Sequence, residues 1–279
     1  MWKAKLCLGT MGLMPSIPEE IALLGSVGFD GFFTGWTPDA PLGEWRKAAD
    51  ECGMYWQSIH APFDKAADMW TDGDKAGIAV DELIGCVCGC ASVGVPIMIV
   101  HAFIGFKDHT PTEAGLVNFG RVVDEAEKLG VKIAFENTEG EEYLAALMEH
   151  FRGHPSVGFC LDTGHEMCYN HSKDMLALYG DRLIATHFND NLGIRDYNGD
   201  ITWHDDLHLL PFDGIADWRD IASRLNRCGY DGEFTFELTV NSKPNRHEND
   251  VYKKMTPHEY LVEAYKRACR VAALKVMAK

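Results

Sequence analysis

Residues 132–165 read KIAFENTEGEEYLAALMEHFRGHPSVGFCLDTGH, and this stretch decides the fold. A short apolar run ends in Glu136, a helical pattern follows over Tyr143–Phe151, and a second apolar run ends in Asp162. Strand, helix and strand within such a span make a parallel βαβ unit, which takes roughly 30 residues or more. The pattern continues toward the C-terminus. LIATH (183–187) closes on His187, and GEFTFE (232–237) closes on Glu237. Glu136, Asp162 and His187 stand 26 and 25 residues apart, and Glu237 follows after another 50. Strands recurring at that interval, each closing on a carboxylate or an imidazole, imply a parallel sheet that gathers these side chains at one rim. Three carboxylates and one imidazole form a set that a divalent metal accepts.

The same alternation extends to both ends of the chain. Further strands are expected at 3–10 (KAKLCLGT), 29–36 (FDGFFTGW), 55–63 (YWQSIHAPF) and 96–106 (PIMIVHAFIGF). Strands five to eight fall at 131–138, 157–165, 182–190 and 232–239. Helices are expected at Pro18–Gly28, Gly43–Gly53, Asp74–Gly94, Thr112–Gly130, Tyr143–Phe151, Asp174–Gly180, Asp217–Gly229 and His258–Met277. Proline near a helix start and glycine at its end follow the usual capping asymmetry. Strands four to seven are nearly continuous apolar runs, as expected when helices cover the sheet. A doubly wound open sheet competes, but Gly9–Gly12 (GTMG) is a poor match to its glycine-rich first turn. The expected fold is a closed α/β (β/α)8 barrel, one domain over residues 1–279, a length typical of that fold.

About 25 residues between Asn191 and Asp217 lack periodicity and are dense in His, Asp and Trp. Loops beyond ~12–15 residues are usually functional or disordered. This one follows the C-terminal end of a strand, where barrel enzymes build active sites, so it reads as a lid or ligand-bearing loop.

Composition excludes several function classes. The formal charge of −16 repels polyanions, so no nucleic-acid partner is expected, whereas a neutral small molecule is compatible. No run approaches the ~20 apolar residues of a membrane span. The N-terminal apolar stretch is short and interrupted, which reads as a first strand and places the protein in the cytoplasm. Nine cysteines show no disulfide framework. Cys86, Cys88 and Cys90 alternate sides of a helix and read as small core residues.

Six histidines (His109, His150, His154, His171, His247 and His258) lie among polar residues and carry no assigned role. His60 and His101 each close an apolar strand, His165 follows Asp162 in DTGH, and Asp206 and His208 form DLH in the long loop. A lone carboxylate at a strand end often caps the next helix. Charges behind four successive strands are different, because they repel unless a cation compensates them.

This ordered set, with the motifs IAFENT, CLDTGH, THFND and FELT, resembles the xylose isomerase-like TIM-barrel superfamily over essentially the whole chain. That group includes ketose 3-epimerases, hydroxypyruvate isomerases, inosose dehydratases and apurinic-site endonucleases. The resemblance implies that Glu136, Asp162, His187 and Glu237 bind one divalent metal, Mn²⁺ or Mg²⁺ by their oxygen-rich character, with Zn²⁺ or Co²⁺ open. It implies a sugar, polyol or keto-acid substrate, isomerised or epimerised through an enediolate, with Glu136 and Glu237 as the acid/base pair. His165 and Glu142 match substrate contacts. An arginine of the epimerases has its counterpart at Gly193, with Arg195 two residues further on as a substitute. Trp36, Phe63, Trp70, Phe103, Phe106 and Trp203 fall at or after strand ends, and Trp36 and Phe103 lead as substrate contacts. Two alternatives share the pocket. One is a dehydratase. The other is a trinuclear zinc endonuclease, whose nine ligand positions match His60, His101, Glu136, Asp162, His165, His187, Asp206, His208 and Glu237, so up to three metals are open. Look-alike enzymes commonly form homodimers or tetramers.

Overall fold

The computed structural model describes residues 4–107, 110–194 and 201–278. Eight strands run in one parallel sheet: β1 (Leu6–Gly9), β2 (Gly31–Gly35), β3 (Tyr55–His60), β4 (Ile97–His101), β5 (Lys132–Glu136), β6 (Val157–Asp162), β7 (Leu183–His187) and β8 (Phe234–Phe236). Their order is β7-β6-β5-β4-β3-β2-β1-β8. The ends meet through a parallel bridge between Phe188 and Phe236, with Phe188 N donating to Thr235 O at 2.8 Å and Glu237 N to Phe188 O at 3.2 Å. The sheet therefore closes as a (β/α)8 barrel, as the alternation of elements required.

The covering helices are α1 (Ile17–Val27), α2 (Leu42–Cys52), α3 (Asp74–Ser92), α4 (Glu113–Leu129), α5 (Glu141–His150), α6 (Thr163–Cys168), α7 (Met175–Tyr179), α8 (Trp218–Arg227) and α9 (Pro257–Met277). Their ends follow local chemistry. Thr112 caps α4 by accepting from Gly115 N, and Thr256 and Glu259 form a capping box on α9. α6 was not expected. The sequence pattern carries strand six through His165, but the strand stops at Asp162, whose carboxylate accepts from His165 N at 2.7 Å and starts a helix. None of the helices is long and apolar enough to cross a membrane, among the described residues.

Side-chain alternation along the strands positions the site. Met98 and Val100 face the helices and join the main core, whereas Ile97 and Ile99 face the barrel interior with Ala134, Cys160 and Ala185. By the same period of two, His101 shares the inward face of Ile97 and Ile99, Glu136 that of Ala134, Asp162 that of Cys160, and His187 that of Ala185. A small apolar layer thus fills the barrel, and the titratable residues lie directly above it at the strands' C-terminal ends.

Cys86 and Cys90, one turn apart on α3, are buried, while Cys88 is exposed. The core role expected of all three holds for Cys86 and Cys90 but not for Cys88, which lies two residues from each and so points to another side of the helix.

Candidate metal centre

Glu136 stands at the hub. Its Oε1 lies 2.9 Å from His187 Nδ1 and 3.7 Å from His165 Nδ1, and its Oε2 lies 3.4 Å from His60 Nε2 and 3.3 Å from His101 Nε2. Glu237, one residue past β8, places Oε2 3.2 Å from the same His187 Nδ1. Asp206 brings Oδ2 within 2.7 Å of His208 Nε2 and 3.6 Å of His165 Nε2. The nine residues picked out in the sequence fall into four groups whose ligand atoms lie within 4.8 Å of one another: His60–His101–Glu136, Glu136–Asp162–His187–Glu237, His165–Asp206–His208, and the overlapping His60–His187–Glu237. Glu136 belongs to the first two.

The hydrogen bonds around these groups leave donor atoms aimed inward. His60 Nδ1 pairs with Ala61 O at 2.8 Å, a contact in which the ring N–H donates to the carbonyl, and this turns Nε2 toward Glu136. His208 Nδ1 pairs likewise with Glu237 O at 3.2 Å, turning Nε2 to Asp206. Imidazoles fixed through their outer nitrogen in this way are typical of metal ligands. Glu136 Oε2, His165 Nδ1 and Asp206 Oδ1 are buried without a hydrogen-bond partner. A divalent ion fits this donor set.

Protons and carboxylates balance one another here. Burial alone would discharge His187, but Glu136 and Glu237 hold its imidazole protonated well above the ordinary value. For Glu136 burial opposes ionisation, yet His187 and the adjacent imidazoles of His101 and His60 keep the carboxyl well below its usual range. Burial likewise opposes the charge on Glu237, and His187 brings it down to about 2. His208 is pushed up to about 9, because Asp206 outweighs burial. Asp162 rises to about 6, chiefly by burial, with His165 opposing. Protonated imidazoles thus supply the positive charge that the converging carboxylates require. Cys160 also lies beside Glu136 and His187, but burial drives its thiol far up and it is the floor of the site.

Two supporting residues were missed in the sequence. Asn189 Nδ2 donates to Asp162 Oδ2 at 2.8 Å. Asp190 accepts from Phe212 N, Ala216 N and Trp218 Nε1 at 2.7–2.9 Å, tying the long loop to the end of β7. The THFND run held the signal, since polar residues directly after a buried strand need partners.

The expected substrate contacts divide. Glu142 lines a cavity of about 640 Å³ beside the mouth, with Phe106, Glu139, Tyr169, Asn170 and Lys173. Tyr169 stacks on His165 with ring centroids 4.8 Å apart, so that cavity adjoins the candidate metal centre. Trp203 borders a second cavity of about 420 Å³ that reaches Glu237 and His208. Trp36 instead packs on α3, where a Cβ at Gly89 would come within 2.6 Å of its indole nitrogen. Phe103 is buried and stacked on Tyr143 at 4.0 Å. Neither ring lines these two cavities, because each finds a closer apolar partner. Phe63 stacks on His101 at 4.5 Å, and Trp70 is buried, donating to Ala102 O. Arg195 lies outside the described residues.

The sequence profile of the xylose isomerase-like TIM barrel family matches residues 21–256. An uncharacterized protein of Sinorhizobium fredii is 32% identical over 164 residues, 54% of this chain and 50% of its own length. A probable endonuclease 4 of Cenarchaeum symbiosum is 28% identical over 134 residues, 44% of this chain and 46% of its own. The chain thus spans about half the length of the curated relatives it matches. Among solved structures, an L-ribulose 3-epimerase superposes with a TM-score of 0.72 at 16% identity, covering 99% of this chain and 96% of that one. The D-allulose 3-epimerase of Methylomonas sp. in complex with D-allulose gives 0.67 at 16% identity, covering 95% and 96%. At that identity the likeness shows the fold. With the profile spanning most of the sequence, the chain belongs to the xylose isomerase-like TIM barrel family.

Proposed function

We propose that this chain is a divalent-metal-dependent isomerase or epimerase acting on a small sugar or sugar-like polyol. The observation that carries the reading is the pair Glu136 and Glu237, whose carboxylates approach the same His187 Nδ1 at 2.9 and 3.2 Å from two different strands. Both are held ionised, so each can accept a proton from a carbon acid placed between them. Asp162 and His187 complete the ligand set, and a bound ion would act as the Lewis acid that stabilises an enediolate's oxygens. Glu237 is the more exposed of the two carboxylates and borders the 420 Å³ cavity, so it is the base that meets the substrate first. The low-polarity layer of Ile97, Ile99, Ala134 and Ala185 closes the floor against water. Incorporation of solvent deuterium into a ketose panel with Mn²⁺ present tests this reading. Exchange at a carbon next to the carbonyl supports it, and no exchange across the panel refutes it.

One observation favours a second reading, phosphoester hydrolysis. His60 with His101, and His165 with Asp206 and His208, complete two further groups fit for ions. Paired metals clamp the attacking and leaving oxygens of such a reaction. Nicking of abasic-site DNA with Zn²⁺ would establish it, and intact DNA would remove it. The net charge of −16 weighs against a polyanionic substrate.

A further inference from the structure

Among the described residues, Lys243 is the one ammonium or guanidinium group within 4 Å of a carboxylate of the nine-residue set. Its Nζ lies 3.5 Å from Asp206 Oδ2, the oxygen that also faces His165 and His208. No lysine or arginine among the described residues makes such a pair with Glu136, Asp162 or Glu237, whose partners are all histidines.

Lys243 is held there. Asn249, itself buried, donates to Leu207 O and Asn241 O and so fastens the lysine's segment to the loop bearing Asp206 and His208. Ser242 donates to Asp250 and accepts from Asn249 N, and Arg246 pairs with Asp205 at 3.6 Å. The ammonium also stands 5.4 Å from the Trp203 ring centroid. The side chain is only one-fifth exposed, so water screens its charge incompletely.

We propose that Lys243 is a built-in cation that competes with a metal ion for the His165–Asp206–His208 group, and so sets how many ions the mouth holds. The inference rests on the metal-dependent reading above. An ion bound to Asp206 Oδ2 would lie next to the ammonium, and like charges at that range repel strongly in a partly buried site. The other groups carry no such competitor among the described residues. The consequence is a centre loaded at Glu136–Asp162–His187–Glu237 with its third group weakened, a state suited to proton transfer and unsuited to three-metal phosphoester cleavage.

Calorimetric titration of the metal-free protein with Zn²⁺, paired with elemental analysis after dialysis, tests this. Lys243→Met should bind a further ion at least tenfold more tightly than the wild type, while Lys243→Arg, which keeps the charge, should behave as the wild type. Asp206→Asn in the Lys243→Met background should abolish the gain. Unchanged binding of the remaining ions in Lys243→Met shows that its fold is intact. Equal ion number and affinity in wild type and Lys243→Met would overturn this inference and leave the metal reading standing. Binding of no ion by either protein would overturn both.

Discussion

Asn189 and Asp162 share a hydrogen bond of 2.8 Å from Nδ2 to Oδ2, while the other oxygen of Asp162 caps α6 through His165 N. Both oxygens of one candidate ligand are thereby oriented. Gly164 makes this arrangement possible, since a Cβ there would come within 2.0 Å of Asn189 Oδ1.

Gly164→Ala should displace Asn189 and lower metal affinity by about 10–100-fold, the usual effect of disturbing an outer-shell partner. Asn189→Ala should do the same without the steric clash. Titration calorimetry on both variants checks this, and wild-type affinity in both would refute the positioning role.

Asp190 accepts from several buried donors at once and joins β7 to the loop bearing Asp206 and His208. Asp190→Ala leaves those donors unpaired, at ~1–3 kcal/mol each. A loss of at least ~3 kcal/mol in urea unfolding is expected. A loss below ~1 kcal/mol would show that the loop holds itself.

Glu237→Gln retains an oxygen ligand but removes the base. Turnover should fall by about 10²–10⁴, the range typical of general-base removal, while metal binding weakens far less. Rates near wild type would refute the two-carboxylate mechanism.

Metal binding should release protons. His187 is held protonated well above its ordinary value, so at pH 7.5 it carries a proton that an ion entering the Glu136–Asp162–His187–Glu237 group must displace. The dependence of binding enthalpy on buffer ionisation measures this, and buffer-independent enthalpy would contradict it. For the metal-free protein the linkage has a definite sign. A raised histidine pKa, here that of His208, contributes stability that is complete below the unfolded value of about 6.5 and is lost as pH rises through about 9. Melting temperature should therefore fall across that window, and less so with metal present.

Much of this was legible in the sequence for a physical reason. Strand period and strand interval are local properties, so the eight strands and the inward side of His101, Glu136, Asp162 and His187 follow from counting. The helix at Thr163–Cys168 did not, because Asp162 ends one element and caps the next, and the apolar pattern cannot show that double use. Trp36 and Phe103 misled for a related reason. A strand-end position tells where the backbone goes, whereas ring direction depends on neighbours such as Gly89 and Tyr143 that are distant in sequence. The pairing of Lys243 with Asp206 across 37 residues had no local signal at all.

The most direct test of the central claim is a calorimetric titration of the metal-free protein with Mn²⁺, run beside His187→Ala. Saturable binding of at least one ion per chain is expected, weakened in His187→Ala by more than the ~10–100-fold typical of an outer-shell change. Absence of saturable binding, or identical isotherms for the two proteins, would contradict it.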